Sequence, residues 1–415
     1  MRIAFICSCL YPGQDGVGDY TRRLAGELVR QGHECRLISL NERNQPNAET
    51  LKTELLKGET AKLAKAEGRS QKSMGEDQRA ASLEPAEMAV KLQHVRVSAF
   101  QSFQETEGTA VSCLRLPGSL SWSERVALAR QWVEDFNPDW VSLQFVPFGF
   151  HTKGLCFGLE KHLATIIGNR SLHWMFHELW VLWFFPLSLR KRLLGQAQQI
   201  WLRSALQKLQ PQVVTTQLPL YQAELKKLGI PAQVLPLHGN IPVVSDATGA
   251  KSWLKARCSL PESCEITAVG FFGAILSTLD RSLFATQLAG RTGSGKELLV
   301  LSAGKLGGEG EQLWNSLAQE FRSSATFMKL GELDDHAASL YFSALDYGLT
   351  AYPPELMGKS GSVAAMREHG LPVLVCGSLS KPNSRVGADG EMEAQPWSVS
   401  QSARSLLQQL QARHS

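Results

Sequence analysis

Tyr352-Pro-Pro-Glu-Leu-Met-Gly-Lys-Ser-Gly-Ser-Val-Ala-Ala-Met-Arg-Glu-His-Gly-Leu-Pro-Val-Leu-Val375 is the stretch on which the fold turns. An apolar strand pattern, Asp346–Ala351, runs into a turn with two prolines, an acid (Glu355) and a cation (Lys359). The small-residue run Ser360-Gly361-Ser362 then opens a helix, and Gly370 and Pro372 close it before the next apolar strand. A helix N-terminus of this kind offers unpaired backbone N–H groups, hydroxyls and a lysine to an anion, so the corner reads as a phosphate-binding site. Pro353 stands where a Walker A loop has its first glycine. Its fixed φ and missing N–H exclude a wrapped P-loop. Without an anion, the same residues amount to a helix capped by Ser360 beside an exposed lysine.

Outward from this corner the pattern repeats. Strands are expected at 266–273, 297–303, 326–330 and 372–376, with helices at 280–288, 312–320, 336–344 and 400–412. The first half has the same rhythm. Ile3–Cys9 is an apolar run, Gly13–Gly18 a glycine-rich loop, Asp19–Gln31 an amphipathic helix and Glu34–Leu40 a second strand. That makes a βαβ unit with a right-handed parallel crossover. Helices near 123–136, 188–209 and 219–228 alternate with strands at 111–116, 140–145, 172–176, 213–216 and 233–237. The segment 41–110 departs from this alternation: Glu, Lys, Gln, Ala and Ser dominate it, and 41–92 reads as a surface insertion. His238-Gly239-Asn240-Ile241-Pro242 reads as an interdomain linker.

The fold class is therefore α/β, with two Rossmann-like doubly wound domains facing each other across a cleft. The expected domains are 1–238, which receives the acceptor and carries the variable insertion, and 239–398. A terminal helix in 399–415 is expected to pack back on the first domain. In open sheets ligands lie beyond the carboxyl ends of the strands, so the interdomain cleft is the expected site.

Composition narrows the partners. The chain has 415 residues, is 43% hydrophobic and 20% charged, and carries a formal net charge of +4, too little to imply a nucleic-acid partner. Eight cysteines without a CxxC pair read as reduced, buried thiols, and Cys7-Ser8-Cys9 has no further metal ligand nearby. The apolar N-terminus is too short to span a bilayer and is better explained as a first buried strand. The expected location is cytoplasmic. The basic helix Arg190-Lys191-Arg192 with Leu193, Ile200 and Trp201 leaves peripheral contact with the inner membrane surface as an alternative to simple packing.

Two other loops have partial phosphate-loop character. Gly13-Gln-Asp-Gly16-Val-Gly18 follows a strand but lacks GxGxxG spacing. Gly290–Glu297 precedes its strand and has Glu297 where a P-loop carries Ser or Thr, so it reads as an exposed turn. Asp334-Asp335 reads as a helix cap. His177 and Glu178 end a strand beside Trp174, Trp180, Trp183, Phe184 and Phe185. These aromatics suit either a sugar- or lipid-contacting pocket or a packed core. His151 and His173 read as solvated or packed.

These elements together resemble a GT-B-fold glycosyltransferase of the large retaining family that includes bacterial mannosyl- and glucosyltransferases of polysaccharide assembly. The resemblance covers nearly the whole chain outside 41–110. It rests on Gly16-Val-Gly18-Asp19-Tyr-Thr-Arg-Arg-Leu-Ala, Pro138-Asp139-Trp-Val-Ser-Leu-Gln, Phe176-His177-Glu178-Leu-Trp, Gly270-Phe-Phe-Gly273, Leu330-Gly331-Glu332-Leu, Ala344-Leu-Asp346 and the 352–375 corner. It implies a nucleotide-sugar donor on the second domain and an acceptor that is a glycan, a lipid-linked sugar or a small molecule. Lys359, Ser360, Gly361 and Ser362 are then expected at the donor diphosphate, with Gly16 and Gly18 approaching it from the first domain. His177 is expected beside the transferred sugar. Gly273, Arg281 and Glu355 complete the donor set, and Asp19, Glu178 and Trp180 are placed towards the acceptor. With no Asp-x-Asp sequence, neither metal nor other cofactor is expected. Retention is expected to proceed by same-face attack, the leaving phosphate helping to deprotonate the acceptor. The family's Glu-x7-Glu pair falls on Met357 and Ala365 here, with Glu355 and Glu368 nearby but out of register. The alternatives are a non-catalytic GT-B protein that binds a glycan or partner, and another GT-B enzyme such as a nucleotide-sugar epimerase or a phosphorylase-like protein. A dehydrogenase ranks lower because the glycine spacing is wrong.

Overall fold

The computed structural model describes residues 1–13, 15–42, 101–106, 108–181, 188–291, 296–379 and 397–412. Most of the expected insertion, the aromatics Trp183, Phe184 and Phe185, and the centre of the Gly290–Glu297 loop lie outside the described residues. The ends of the insertion are strand: β2 (Glu34–Glu42) runs to its first residues, and β3 (Gln101–Thr106) and β4 (Thr109–Pro117) form an antiparallel hairpin at its close.

The other strands are β1 (Arg2–Cys7), β5 (Trp140–Phe145), β6 (Ser171–Phe176), β7 (Val213–Thr216) and β8 (Gln233–Val234). They form one sheet in the order β3-β4-β2-β1-β5-β6-β7-β8. Strand order reverses between β1 and β5, because β2 and β5 flank β1 on opposite sides. The helices are α1 (Gly16–Arg30), α2 (Trp122–Phe136), α3 (Pro147–Phe150), α4 (Leu159–Ile167), α5 (Leu189–Leu209) and α6 (Pro219–Lys227). Ser121 and Glu124 begin α2 with a reciprocal capping box, and Asn137 ends it in the left-handed region. β1 and β5 are buried nearly throughout, as parallel strands covered on both faces must be.

The second sheet contains β9 (Ile266–Phe272), β10 (Glu297–Ala303), β11 (Thr326–Gly331), β12 (Tyr347–Thr350) and β13 (Val373–Val375), in the order β11-β10-β9-β12-β13. All its pairings are parallel, and the order reverses between β9 and β12. Its helices are α7 (Ala250–Arg257), α8 (Arg281–Ala289), α9 (Gly307–Glu320), α10 (Asp335–Ala344), α11 (Gly361–Glu368) and α12 (Val399–Gln411). Leu299, Leu301, Tyr341, Phe342, Val363, Met366 and Val373 fill one side of the sheet. Val269, Phe271, Phe284, Trp314 and Leu374 fill the other.

The chain divides into two compact units. One is Met1–Trp180 with Gln196–Val214, the other Val181–Gly195 with Thr215–Ser415. The segment expected to be a linker is packed inside the second unit. His238 is buried with Nδ1 3.0 Å from the Ser402 Oγ of α12, and Glu368 accepts the Val399 N–H. Thus α12 belongs to the second unit. Helix α9 starts five residues before its expected position, and β8 is shorter than the expected strand. Helices α3, α4 and α7 had no counterpart in the sequence expectations. All eight cysteines are free thiols, and all but Cys264 are buried. Among the described residues no helix is long and apolar enough to cross a membrane.

Candidate functional site

In the second unit the reversal between β9 and β12 fixes where a ligand can approach. β9 is followed directly by Gly273, whose φ of +78° is suited to glycine. A Cβ there would lie 3.5 Å from the Ser362 Oγ, so the strand end and the first turn of α11 are neighbours. Gly304 continues the surface: with φ of +81°, its added Cβ would lie 3.2 Å from the Gly273 nitrogen. The loop after β9 is anchored as well. Thr278 Oγ1 donates to the Ala351 carbonyl, and the Asp280 N–H donates to the Cys376 carbonyl.

β12 leads through Tyr352 and Pro353 into a 3-10 turn, Pro354–Lys359. Ser360 then caps α11, its Oγ accepting the Val363 N–H at 3.3 Å. The Ala364 N–H returns to the Ser360 carbonyl. The N–H groups of Gly361 and Ser362 have no partner among the described residues, as first-turn groups require unless a ligand supplies one. The first turn of α11 carries no acid, and half-buried Lys359 precedes it. Asn240 also borders the turn. Among the described residues its buried Oδ1 has no hydrogen-bond donor, and it lies 3.5 Å from where a Gly361 Cβ would be. Two backbone donors, hydroxyls and a cation thus lie together at the positive end of a helix, a cradle whose chemistry can take an anion.

The remaining donor candidates are distributed unevenly. Glu355 is exposed in the 3-10 turn. Arg281 lies on the first turn of α8, where its guanidinium is held by Glu320 and by Ser316 at 2.8 Å, so it is not grouped with the cradle by any contact. Ala365 is fully buried, and a Cβ on Gly239 would lie 2.7 Å from its Cα. Met357 is buried in the core. Neither position presents a carboxylate, and Glu368 is engaged with α12. Two motif residues serve packing. Gly270 leaves room for Tyr341, whose hydroxyl donates to the Phe271 carbonyl, and Asp346 accepts the Ala268 N–H and pairs with Lys251.

In the first unit the candidates gather at the carboxyl ends of β1, β5 and β6. Asp15 caps α1, accepting the Val17 N–H at 3.0 Å and the Ser8 hydroxyl at 3.1 Å. Burial pushes its carboxyl above the ordinary value, and the charge of Asp19 adds to this against those hydrogen bonds. Asp19 is buried, accepts the Gly13 N–H and pairs with Arg22. Gly18 is required by packing, since a Cβ would fall 2.4 Å from the Cys9 carbonyl oxygen; Gly16 meets nothing comparable. Behind this loop, buried Glu42 accepts the Leu10 N–H and the Ser39 hydroxyl and pairs with Arg115. Burial alone would raise Glu42; Arg115, Ser39 and Leu10 together bring it below the usual value.

His177, only 4% exposed, sits one residue beyond β6 with its ring edge-on to Tyr20 of α1, centroids 4.9 Å apart. Its Nε2 lies 2.8 Å from Gln144 Oε1. Burial pushes its pKa down to about 3, and nearby His173 adds to this, so the ring is neutral. Glu178 is half-buried and Trp180 buried. Trp174 is core: it packs with Phe145 and Phe176 on the opposite face of the sheet. His151 accepts the N–H groups of Lys153 and Leu155, and Asp334 caps α10.

Sequence reasoning missed Asp15, Asn240, Gly304 and Gln144. Gln144 left a signal: with Ser142 it is a polar alternation within an otherwise apolar strand. Asn240 had no comparable signal within the Gly-Asn-Ile-Pro run.

No protein-family model and no curated protein matches the chain. Solved structures do. Sucrose-phosphate synthase from Thermosynechococcus elongatus superposes with a TM-score of 0.53 at 13% identity, over 100% of this chain and 90% of that one. The catalytic domain of starch synthase IV from Arabidopsis thaliana, bound to ADP and acarbose, gives 0.51 at 11% identity, over 100% and 92%. At such identities the likeness speaks to the fold. With its two parallel-sheet α/β units, this chain has the GT-B fold.

Proposed function

We propose that the protein is a glycosyltransferase that takes a sugar from a nucleotide-sugar donor, with retention and without a metal. The observation that carries this reading is the cradle at α11. Breaking the bond between a sugar and a nucleoside diphosphate builds negative charge on the leaving phosphate, and the free N–H groups of Gly361 and Ser362, the hydroxyls and Lys359 can stabilise it as it forms. That starch synthase IV, of the same fold, is bound to ADP supports a nucleoside diphosphate as the ligand. Gly273 and Gly304 allow the phosphates to approach the strand ends, and Asn240 is placed to accept from a donor hydroxyl. With Met357 and Ala365 buried, Glu355 is the acid assigned to the ribose. Arg281 is a peripheral contact at most.

The first unit receives the acceptor, a sugar-containing or lipid-linked hydroxyl compound. Asp15 and Asp19 repel an anion and can accept hydroxyl protons, while Gly16 and Gly18 shape the loop that presents them. His177 borders the transferred sugar, with Glu178 and Trp180 at the acceptor. Retention follows same-face attack, with the leaving phosphate taking the acceptor proton. Exposed Leu189, Leu193 and Ile200 on α5, flanked by Arg190, Lys191 and Arg192, suit peripheral contact with an anionic membrane surface.

The test is a calorimetric titration with UDP-, ADP- and GDP-sugars, followed by turnover assays in EDTA and determination of the product anomer. Tight binding of one nucleotide class, EDTA-insensitive transfer and a retained anomer are expected. No binding across the panel would favour a non-catalytic GT-B protein, and donor isomerisation without an acceptor would favour an epimerase.

A further inference from the structure

One face of β5 and β6 is built unlike the rest of the first sheet. The opposite face is aromatic, with Phe145 packed on Trp174, Phe176 and Trp201. On this face four buried polar side chains form a continuous line. His177 Nε2 meets Gln144 Oε1 at 2.8 Å, the Gln144 Nε2 donates to the Ser142 Oγ at 2.7 Å, and the Ser142 Oγ meets His173 Nδ1 at 2.8 Å. None is more than 4% exposed. Ser142 and His173 are directly paired across the two strands, so strand register sets the spacing of the line.

An apolar ladder would fill this space without the desolvation cost of four polar groups, so their arrangement needs a reason. The geometry supplies one. The Gln144 amide nitrogen donates to Ser142, whose hydroxyl can donate in turn to His173 Nδ1, and the amide carbonyl oxygen faces His177. An amide oxygen only accepts, so the ring nitrogen it meets carries the proton. We infer that Gln144, oriented by Ser142 and His173, is a positioning residue that fixes His177 as the neutral Nε2–H tautomer. Nδ1 is then the acceptor nitrogen of the ring, and the ring carries no positive charge. The role rests on the glycosyltransferase reading, in which His177 borders the sugar: a neutral ring there does not trap the departing anion. Tyr20 of α1 stands edge-on to the ring, and His173 of β6 adds to burial in disfavouring the imidazolium.

The experiment is ring-nitrogen NMR on the full-length protein labelled with 15N-histidine, with His177 assigned through His177→Gln. Wild-type His177 is expected to show the Nε2–H pattern from pH 8 to pH 5 without titrating. Gln144→Met keeps the volume but removes the acceptor, so the tautomers should mix; Gln144→Glu should bring a titration into that pH range. In turnover, Gln144→Met is expected to lower kcat about tenfold to a hundredfold with donor KM within about threefold. An Nδ1–H wild-type ring, a wild-type His177 titrating near pH 6.5, or a tautomer unmoved by Gln144→Met overturns the inference. The wild-type spectrum decides even if a variant fails to fold. Because the NMR needs no turnover, failure of the glycosyltransferase reading is recognised separately, by absent donor binding with an intact Nε2–H signal.

Discussion

α1 and α11 both begin just beyond the carboxyl end of a parallel strand at the reversal point of their own sheet, yet their N-termini are opposites. At α1, Asp15 already occupies the position an anion would take, and Asp19 stands in the first turn. At α11 a neutral serine caps the helix, the first turn has no acid, and two N–H groups are open. Backbone geometry alone makes both ends attractive to anions. The side chains decide that one end has its charge built in and the other is left without one. Glycine content does not separate them: Gly18 is needed because the Cys9 carbonyl leaves no room, whereas Gly273 opens the approach to Ser362.

Exchanging the character of the two ends should break this contrast most sharply at α11. Ser360→Asp keeps a good N-cap, so thermal stability should hold, but it fixes an anion in the cradle. Donor affinity measured by calorimetry should fall at least about a hundredfold, near 3 kcal/mol, on Coulomb arithmetic for like charges about 4 Å apart near a protein surface. Unchanged affinity would place the phosphates elsewhere.

Gly18→Ala tests the claim that this glycine serves packing. A Cβ driven against a backbone oxygen should cost roughly 1–3 kcal/mol in denaturant unfolding. In the fraction that remains folded, donor affinity should be within about twofold of wild type. A stable variant that no longer binds donor would return Gly18 to the phosphate site.

Lys359→Ala should weaken donor binding about tenfold and flatten its salt dependence, since the lost interaction is one charge pair at a half-buried position. Binding of the free nucleoside should not change. If the nucleoside is affected equally, the lysine does not act on phosphate.

The smallest effect belongs to Asp15→Asn, which keeps the cap and removes the charge. In the folded protein the Asp15 carboxyl holds its proton to a higher pH than in the unfolded chain. Stability is therefore lost as pH rises from the unfolded value near 3.9 through the raised folded value, and the cost is complete above it. The variant should melt a few degrees higher than wild type at pH 7 and identically at pH 3. A lower melting temperature at pH 7 would mean that the carboxylate is needed as an ion. Donor affinity should be unaffected.

The alternation of strands and helices was legible because buried parallel strands are continuous apolar runs and their helices carry a repeating apolar face. This placed β1, β5, β9, β10 and the 352–375 corner closely. Short elements escaped: α3 and α7 are too brief for a period to emerge, although Gly158 and Gly168, both with positive φ, bracket α4. Within the site, Ser360-Gly361-Ser362 was legible because a helix cap is a local device. Arg281 was a different matter. A cation's partner is fixed by what lies across from it, and α9 supplied Glu320.

The sequence by itself determined the two-sheet α/β class and the helix opening at Ser360. Each follows from neighbouring residues and the periods of helix and strand. Tertiary structure alone decided that Gly273 adjoins Ser362, that Asn240 reaches α11, that Asp15 fills the end of α1, and that Gln144 holds His177. Each of these depends on groups brought together by strand register or by loop packing, and no local pattern records such a meeting.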